Sequence, residues 1–143
     1  MRSVFADTGY WIALFDPHDT LNPKAVECSK ILTNTNIHTS EMVLTEFLNH
    51  FAKRGMFLKR AAVQFVQAVW LRHASYQKNP VMTITPQTSA LYQQALLLYA
   101  QQVDQTWSLT DCASFCIMRQ SGITEALAHD KHFEQAGFIA LLR

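Results

Sequence analysis

Apolar positions open the chain as a short unbroken run, Val4-Phe5-Ala6, that closes on Asp7. Residues 3–7 read as a buried strand, and Tyr10-Trp11-Ile12-Ala13-Leu14-Phe15 as one or two helical turns. Asp16-Pro17-His18-Asp19 breaks the pattern as a turn. Asn22 can cap a second helix with Pro23 at its first position, and Ala25, Val26, Cys28, Ile31 and Leu32 carry it to about Thr33. Residues 34–39 then read as a turn and a second strand. From Glu41 the period is helical: Val43, Leu44, Phe47, Leu48 and Phe51 make one stripe, which Gly55 ends. A long helix over about 58–75 carries Ala62, Phe65, Val66, Val69 and Trp70, and pairs with its predecessor as a helical hairpin.

Val81-Met82-Thr83-Ile84 suits a third strand. Pro86 is expected to start a helix reaching Gln101, with Leu91, Ala95, Leu98 and Tyr99 at its spacing. Residues 104–107 form a loop, Ser108 or Thr110 caps a helix over 111–120, and residues 123–128 and 137–142 supply a fourth and a fifth strand. Strands alternating with helices imply an α/β fold, with a mainly parallel five-stranded sheet covered on both faces. No repeat, low-complexity tract or linker interrupts residues 1–143, so one domain is expected.

Composition narrows the class. The chain is 49% hydrophobic and 16% charged, and its apolar stretches are too short and interrupted to span a bilayer. Met1-Arg2-Ser3 runs directly into the first strand, so no signal peptide is expected. Cys28, Cys112 and Cys116 cannot all pair and match no zinc spacing; a reducing cytoplasm is the expected location, with Cys112 and Cys116 as packing residues. The net charge of +1 gives no strong attraction to nucleic acid, but the charges are unevenly distributed. Between Glu46 and Asp104 there is no acid, whereas Lys53, Arg54, Lys59, Arg60, Arg72 and Lys78 all fall there. Such a stretch can steer a polyanion or simply solvate helical faces.

Ligands of open parallel sheets sit beyond the carboxyl ends of the strands. Asp7 closes the first strand, Glu46 rides the helix after the second, Asp111 starts a helix after the Trp107 loop, and Asp130 follows the fourth strand. In a parallel sheet all of them reach one edge, and Asp104, seven positions before Asp111, can approach it. Clustered carboxylates raise one another's pKa unless a cation neutralises them, and oxygen donors without nearby cysteine select Mg²⁺ or Mn²⁺. The chemistry suggested is phosphodiester hydrolysis. Taken singly, each acid also has a plainer role: Asp7 and Asp111 as helix caps, Glu46 as a solvated helix residue, Asp130 and Asp104 as turn residues. Thr8 and Ser108 can support the carboxylates by hydrogen bonding or act only as caps, and His129 and His132 flank Asp130.

Asp7-Thr8-Gly9 matches the aspartic-protease tripeptide, but the helical Tyr10-Trp11-Ile12-Ala13-Leu14 that follows does not fit that β-rich fold. No second Asp two positions after Asp7 supports a phosphoaspartate phosphatase, and no Gly-rich phosphate loop is present.

The same residues resemble the PIN-domain nucleases, the family that includes the VapC toxins of toxin–antitoxin pairs. Val4-Phe5-Ala6-Asp7-Thr8-Gly9-Tyr10-Trp11 is similar to the family's first strand and first acid. Glu46 in Leu44-Thr45-Glu46-Phe47-Leu48-Asn49 matches its helical Glu, and Trp107-Ser108-Leu109-Thr110-Asp111-Cys112-Ala113 its third acid. Asp104 matches an additional upstream acid, and Ala128-His129-Asp130-Lys131-His132-Phe133 with Gly137-Phe138 the last acid and closing strand. The resemblance covers nearly the whole chain. It implies a three-layer α/β/α sandwich and a Mg²⁺- or Mn²⁺-dependent ribonuclease acting on single-stranded or loop RNA. Asp7, Glu46 and Asp111 would hold the metal, with Asp130 and Asp104 beside them. It further implies homodimerisation and an antitoxin partner in toxin members. A non-catalytic RNA-binding module, a nuclease for single-stranded DNA and a role in general RNA processing stay open at this point.

Overall fold

The computed structural model describes residues 1–74 and 81–143. Ser75, the expected end of the long helix, and Lys78 of the basic stretch lie outside the described residues. The chain runs β1 (Arg2–Ala6), α1 (Thr8–Phe15), α2 (Asn22–Lys30), β2 (Thr35–Ser40), α3 (Glu41–Phe51) and α4 (Met56–Ala74). It continues through β3 (Met82–Thr85), α5 (Ser89–Gln101), α6 (Leu109–Ser121), β4 (Glu125–Leu127), α7 (Lys131–Gln135) and β5 (Ile139–Ala140). The strands form one sheet in the order β3-β2-β1-β4-β5, and every pairing is parallel, as the alternation predicts. Helices flank it in an α/β/α sandwich.

The central strand β1 is buried through Val4, Phe5 and Ala6, the run of apolar residues that a strand covered on both faces requires. It pairs with β2 from Arg2↔Thr35 to Phe5↔His38, and with β4 through only Phe5↔Ala126 and Ala6↔Leu127. The order therefore reverses at β1, which places the sheet's topological switch point directly beneath Asp7.

Two aromatic nests hold the helices to the sheet. On the α3–α4 side, Phe47 contacts Phe15, Phe51 and Phe65 with ring centroids 5.2–5.5 Å apart. On the C-terminal side, Phe115 of α6 meets Trp107 and Phe133, each at 5.0 Å. The edge-to-face geometry adds to area burial by matching ring edges to ring faces. Val43, Leu44, Phe47 and Phe51 of the α3 stripe are all buried, as are Ala62, Val66 and Val69 of α4.

Several boundaries differ from expectation for local reasons. Asn22 does not cap α2; Leu21 occupies that position, and the Asn22 amide donates to the Ala13 carbonyl at 2.7 Å. The helix stops at Lys30, which leaves Ile31 66% exposed. Pro86 precedes α5 rather than starting it, because Thr88 accepts from the Leu91 N–H as the cap. Trp70 and Tyr99, expected on buried stripes, are exposed on α4 and α5. Strands β4 and β5 are much shorter than the apolar runs that contain them, since the chain turns into α7 between them. Gly122, at φ 68, ends α6 in the left-handed conformation that glycine adopts without penalty.

Candidate active site

Each carboxylate reaches the same end of the sheet by a different local route. Asp7 is the residue after β1, and its backbone N–H continues the ladder to the Leu127 carbonyl at 3.2 Å. It stands at the N-cap of α1 without using its side chain as a cap, which leaves that carboxylate for the cleft. Directly below, the Trp11 indole donates to the Thr39 hydroxyl at 3.1 Å and Thr39 donates to the Ala6 carbonyl at 3.0 Å, fixing β1, α1 and β2 together. Ser40 caps α3 at the end of β2, and Glu46 projects from the helix's second turn. Its Oε1 accepts the Thr8 hydroxyl at 2.6 Å, so the α1 and α3 side chains are already joined.

Asp111 has the capping role that its position allowed, and a second role as well. Ser108 Oγ accepts from the Asp111 N–H and Asp111 Oδ2 accepts from the Ser108 N–H, both at 3.0 Å. This reciprocal box satisfies two of the donors a helix start leaves unpaired, and it fixes the carboxylate. Ser108→Ala should cost about 1 kcal/mol of stability by loss of the cap. A shift of the urea midpoint checks it. Asp130 caps the short α7, accepting from the His132 N–H at 3.1 Å.

These residues surround one cleft of about 530 Å³ lined by Asp7, Thr8, Gly9, Glu46, Asp111, His129, Asp130, Lys131 and Arg143. The expected acids Asp7, Glu46, Asp111 and Asp130 are brought together, whereas Asp104 is not. It is exposed in the turn after α5 and lies off the cleft, because the chain from there is drawn inward only at Trp107. Ser108 supports Asp111 from outside the cleft, and Thr8 lines it.

Asp7 carries the strongest electrostatic signature. Burial, followed by the Asp111 charge and then those of Glu46 and Asp130, pushes its pKa up to about 8 against a lowering hydrogen bond from the Thr8 backbone. Low-dielectric surroundings and like charges both disfavour ionisation, so the neutral acid predominates at pH 7 until positive charge enters. Cys112, beside Asp111, is pushed up to about 11, chiefly by burial, and stays a thiol. It packs as an apolar residue.

Among the described residues, the cations that line the cleft are not those of the acid-free stretch. Lys53, Arg54, Lys59 and Arg60 are exposed around the α3–α4 turn and do not line it. Lys131 and Arg143 do, and neither stood out by spacing; Lys131 is recognisable only as the residue next to Asp130. Arg143 is held by Glu134 at 2.8 Å and donates to the His129 carbonyl at 3.3 Å.

A family model described as "PIN domain" matches residues 4–139. The chain belongs to the PIN domain family. This PIN domain is 28% identical over 141 residues to the 23S rRNA-specific endonuclease VapC20 of Mycobacterium tuberculosis, in strains CDC 1551 / Oshkosh and ATCC 25618 / H37Rv, covering 95% of each chain. It is also similar to the crystal structure of M. tuberculosis VapC20, a sarcin–ricin loop cleaving toxin. That similarity has a TM-score of 0.80 and 29% identity over 95% of this chain and 96% of the other. Among the described residues no helix is long and apolar enough to cross a membrane.

Proposed function

We propose that this PIN domain is a Mg²⁺- or Mn²⁺-dependent endoribonuclease of the toxin type, cutting RNA in a single-stranded or loop region. The observation that carries the reading is the convergence of Asp7, Glu46, Asp111 and Asp130 on one cleft rimmed by Lys131 and Arg143. The similarity to a ribosomal RNA endonuclease along nearly the whole chain supports it.

The donor set suits a hard cation: every acid offers oxygen, and no cysteine lines the cleft. The carboxylates gather around the cleft rather than forming a closed cage; among the described residues no three His, Cys, Asp or Glu side chains stand as a ready-made ligand group. Burial and then the neighbouring carboxylates raise the pKa of Asp7, a penalty that a bound divalent cation would relieve. Asp7, Glu46 and Asp111 would hold the ion, with Asp130 in support and Asp104 outside. When bound, a divalent cation supplies charge neutralisation and Lewis-acid polarisation at the phosphate.

The chain's own residues do the rest. Thr8 holds Glu46 toward the cleft, and the Ser108 box holds Asp111. Lys131 and Arg143 attract the RNA backbone to a site whose acids would otherwise repel it. Once Asp7 has lost its proton, its carboxylate would add its negative charge to the ligand set it shares with Glu46 and Asp111.

The RNA-cleaving role extends to a 23S rRNA loop as substrate, an antitoxin as inhibitor, a homodimer as assembly and the cytoplasm as location. Met56, Phe57 and Leu71 on α4 supply exposed apolar surface for a second copy or an antitoxin segment. Phe47, in contrast, is wholly buried and unavailable to either. Purified protein incubated with ribosomal RNA, and with matched RNA and DNA single strands, should cut RNA in Mg²⁺ or Mn²⁺ and stop in EDTA, with the cut ends mapped by primer extension. Cleavage of DNA alone would overturn the RNA assignment, and undiminished cleavage in EDTA the metal dependence.

A further inference from the structure

His132 faces away from the cleft lining, yet it touches two of its acids. Its Nδ1 lies 3.0 Å from Asp111 Oδ2 and 3.2 Å from Asp130 Oδ1, and its backbone N–H also donates to Asp130 Oδ1 at 3.1 Å. Its Nε2 lies 3.1 Å from the Thr106 hydroxyl. We infer that His132 is a positioning residue that locks the Asp111 and Asp130 carboxylates into one rigid pair, with Thr106 holding the far side of its imidazole.

The argument starts from the elements that carry these acids. Asp111 opens α6, whereas Asp130 caps a helix of only five residues, too short to fix its own orientation. The side chain of Asp130 is 49% exposed, against 14% for Asp111 and 15% for His132. Two carboxylates facing each other repel, and the more exposed one would swing into solvent. A ring N–H forked between them removes that freedom.

The fork requires Nδ1 to carry the proton. Nδ1 faces two carboxylate oxygens, which accept when ionised, while the Thr106 hydroxyl, able to donate or accept, holds Nε2 in either case. The loop holding Thr106 is itself fixed to α7, since the Trp107 indole donates to Gln135 Oε1 at 3.1 Å and Phe133 packs against Phe115. Loop, imidazole and short helix therefore brace one another.

The lock also divides the oxygens. Asp111 Oδ2 receives the Ser108 N–H and the imidazole, and Asp130 Oδ1 receives both donors of His132. These contacts fall on Asp111 Oδ2 and Asp130 Oδ1, and both acids line the cleft. Outer partners of this kind orient ligands and raise their affinity for a cation.

The inference rests on the reading of Asp111 and Asp130 as metal ligands, and its test separates the two. Long-range ¹H–¹⁵N spectra of the metal-free protein should show His132 protonated on Nδ1. Calorimetry with Mg²⁺ should show His132→Phe weakening binding by about tenfold or more. His132→Asn, which can donate from near the Nδ1 position, should restore most of it. The kcat should follow the same order with KM for RNA little changed. A wild-type ring protonated only on Nε2, or His132→Phe binding Mg²⁺ as tightly as wild type, would overturn the lock. A wild-type protein that bound no Mg²⁺ would instead overturn the metal reading, and the tautomer measurement would still decide the lock.

Discussion

Asp7→Asn is expected to abolish cleavage and to stabilise the metal-free protein. Loss of several kcal/mol of transition-state stabilisation at the metal site corresponds to a fall of about a thousandfold or more in rate. The stability change has the opposite sign. Asp7 is the acid whose folded pKa is raised, to about 8, so the folded chain retains its proton where the unfolded chain has lost it. The penalty is absent below the unfolded value near pH 4, grows as pH rises, and is complete above pH 8. Asparagine never carries that charge. At pH 8 the variant should exceed the metal-free wild type by a few kcal/mol, on the order of 5–10 °C in Tm, while at pH 4 the two should nearly coincide. Adding Mg²⁺ should raise the wild-type Tm far more than that of the variant. Equal melting at pH 4 and pH 8 would show that Asp7 is not the strained group described.

Phe47→Ala should produce the largest loss of fold. The ring has no exposed surface and meets Phe15, Phe51 and Phe65, so its removal leaves a cavity between α1, α3 and α4 rather than a surface dent. A buried Phe truncated to Ala costs about 3–5 kcal/mol, a large part of a total stability of roughly 5–15 kcal/mol. Because Glu46 is the preceding residue on the same helix, turnover should fall even where the variant is still mostly folded. Urea unfolding with an unchanged m-value would establish the loss as one of stability. A midpoint shift equivalent to less than about 1 kcal/mol would mean that the aromatic nest is loosely packed.

Much of this was legible because the relevant signals are local. The strand before Asp7 is a run of buried residues, the α3 stripe has helical spacing, and the Ser108 cap stands three residues before Asp111. The parallel sheet followed from alternation alone. What escaped was decided across space. Helix α7 spans five residues, too few to display a period, and its caps and Phe133 anchor it instead. Asn22 had a distant carbonyl on Ala13 as an alternative to capping, which composition cannot foretell. His132 meets Asp111 only because α6 and α7 pack together, and Lys131 and Arg143 are joined at the cleft by the fold rather than by spacing. The acid-free stretch was conspicuous in sequence, but its described α3–α4 turn cations lie off the acids. Charge counted along a chain does not say which face it will occupy.

The short ladder between β1 and β4 sets when the candidate site can be completed during synthesis. The first strand is made more than a hundred residues before its partner at residues 125–127 and the acid at position 130. Until that late segment emerges and docks, Asp7 and Glu46 can be in place with Asp130 still unmade. Contacts so distant in sequence also form slowly. The cleft is therefore assembled only after the segment from residue 125 to 130 has been made and has docked on β1.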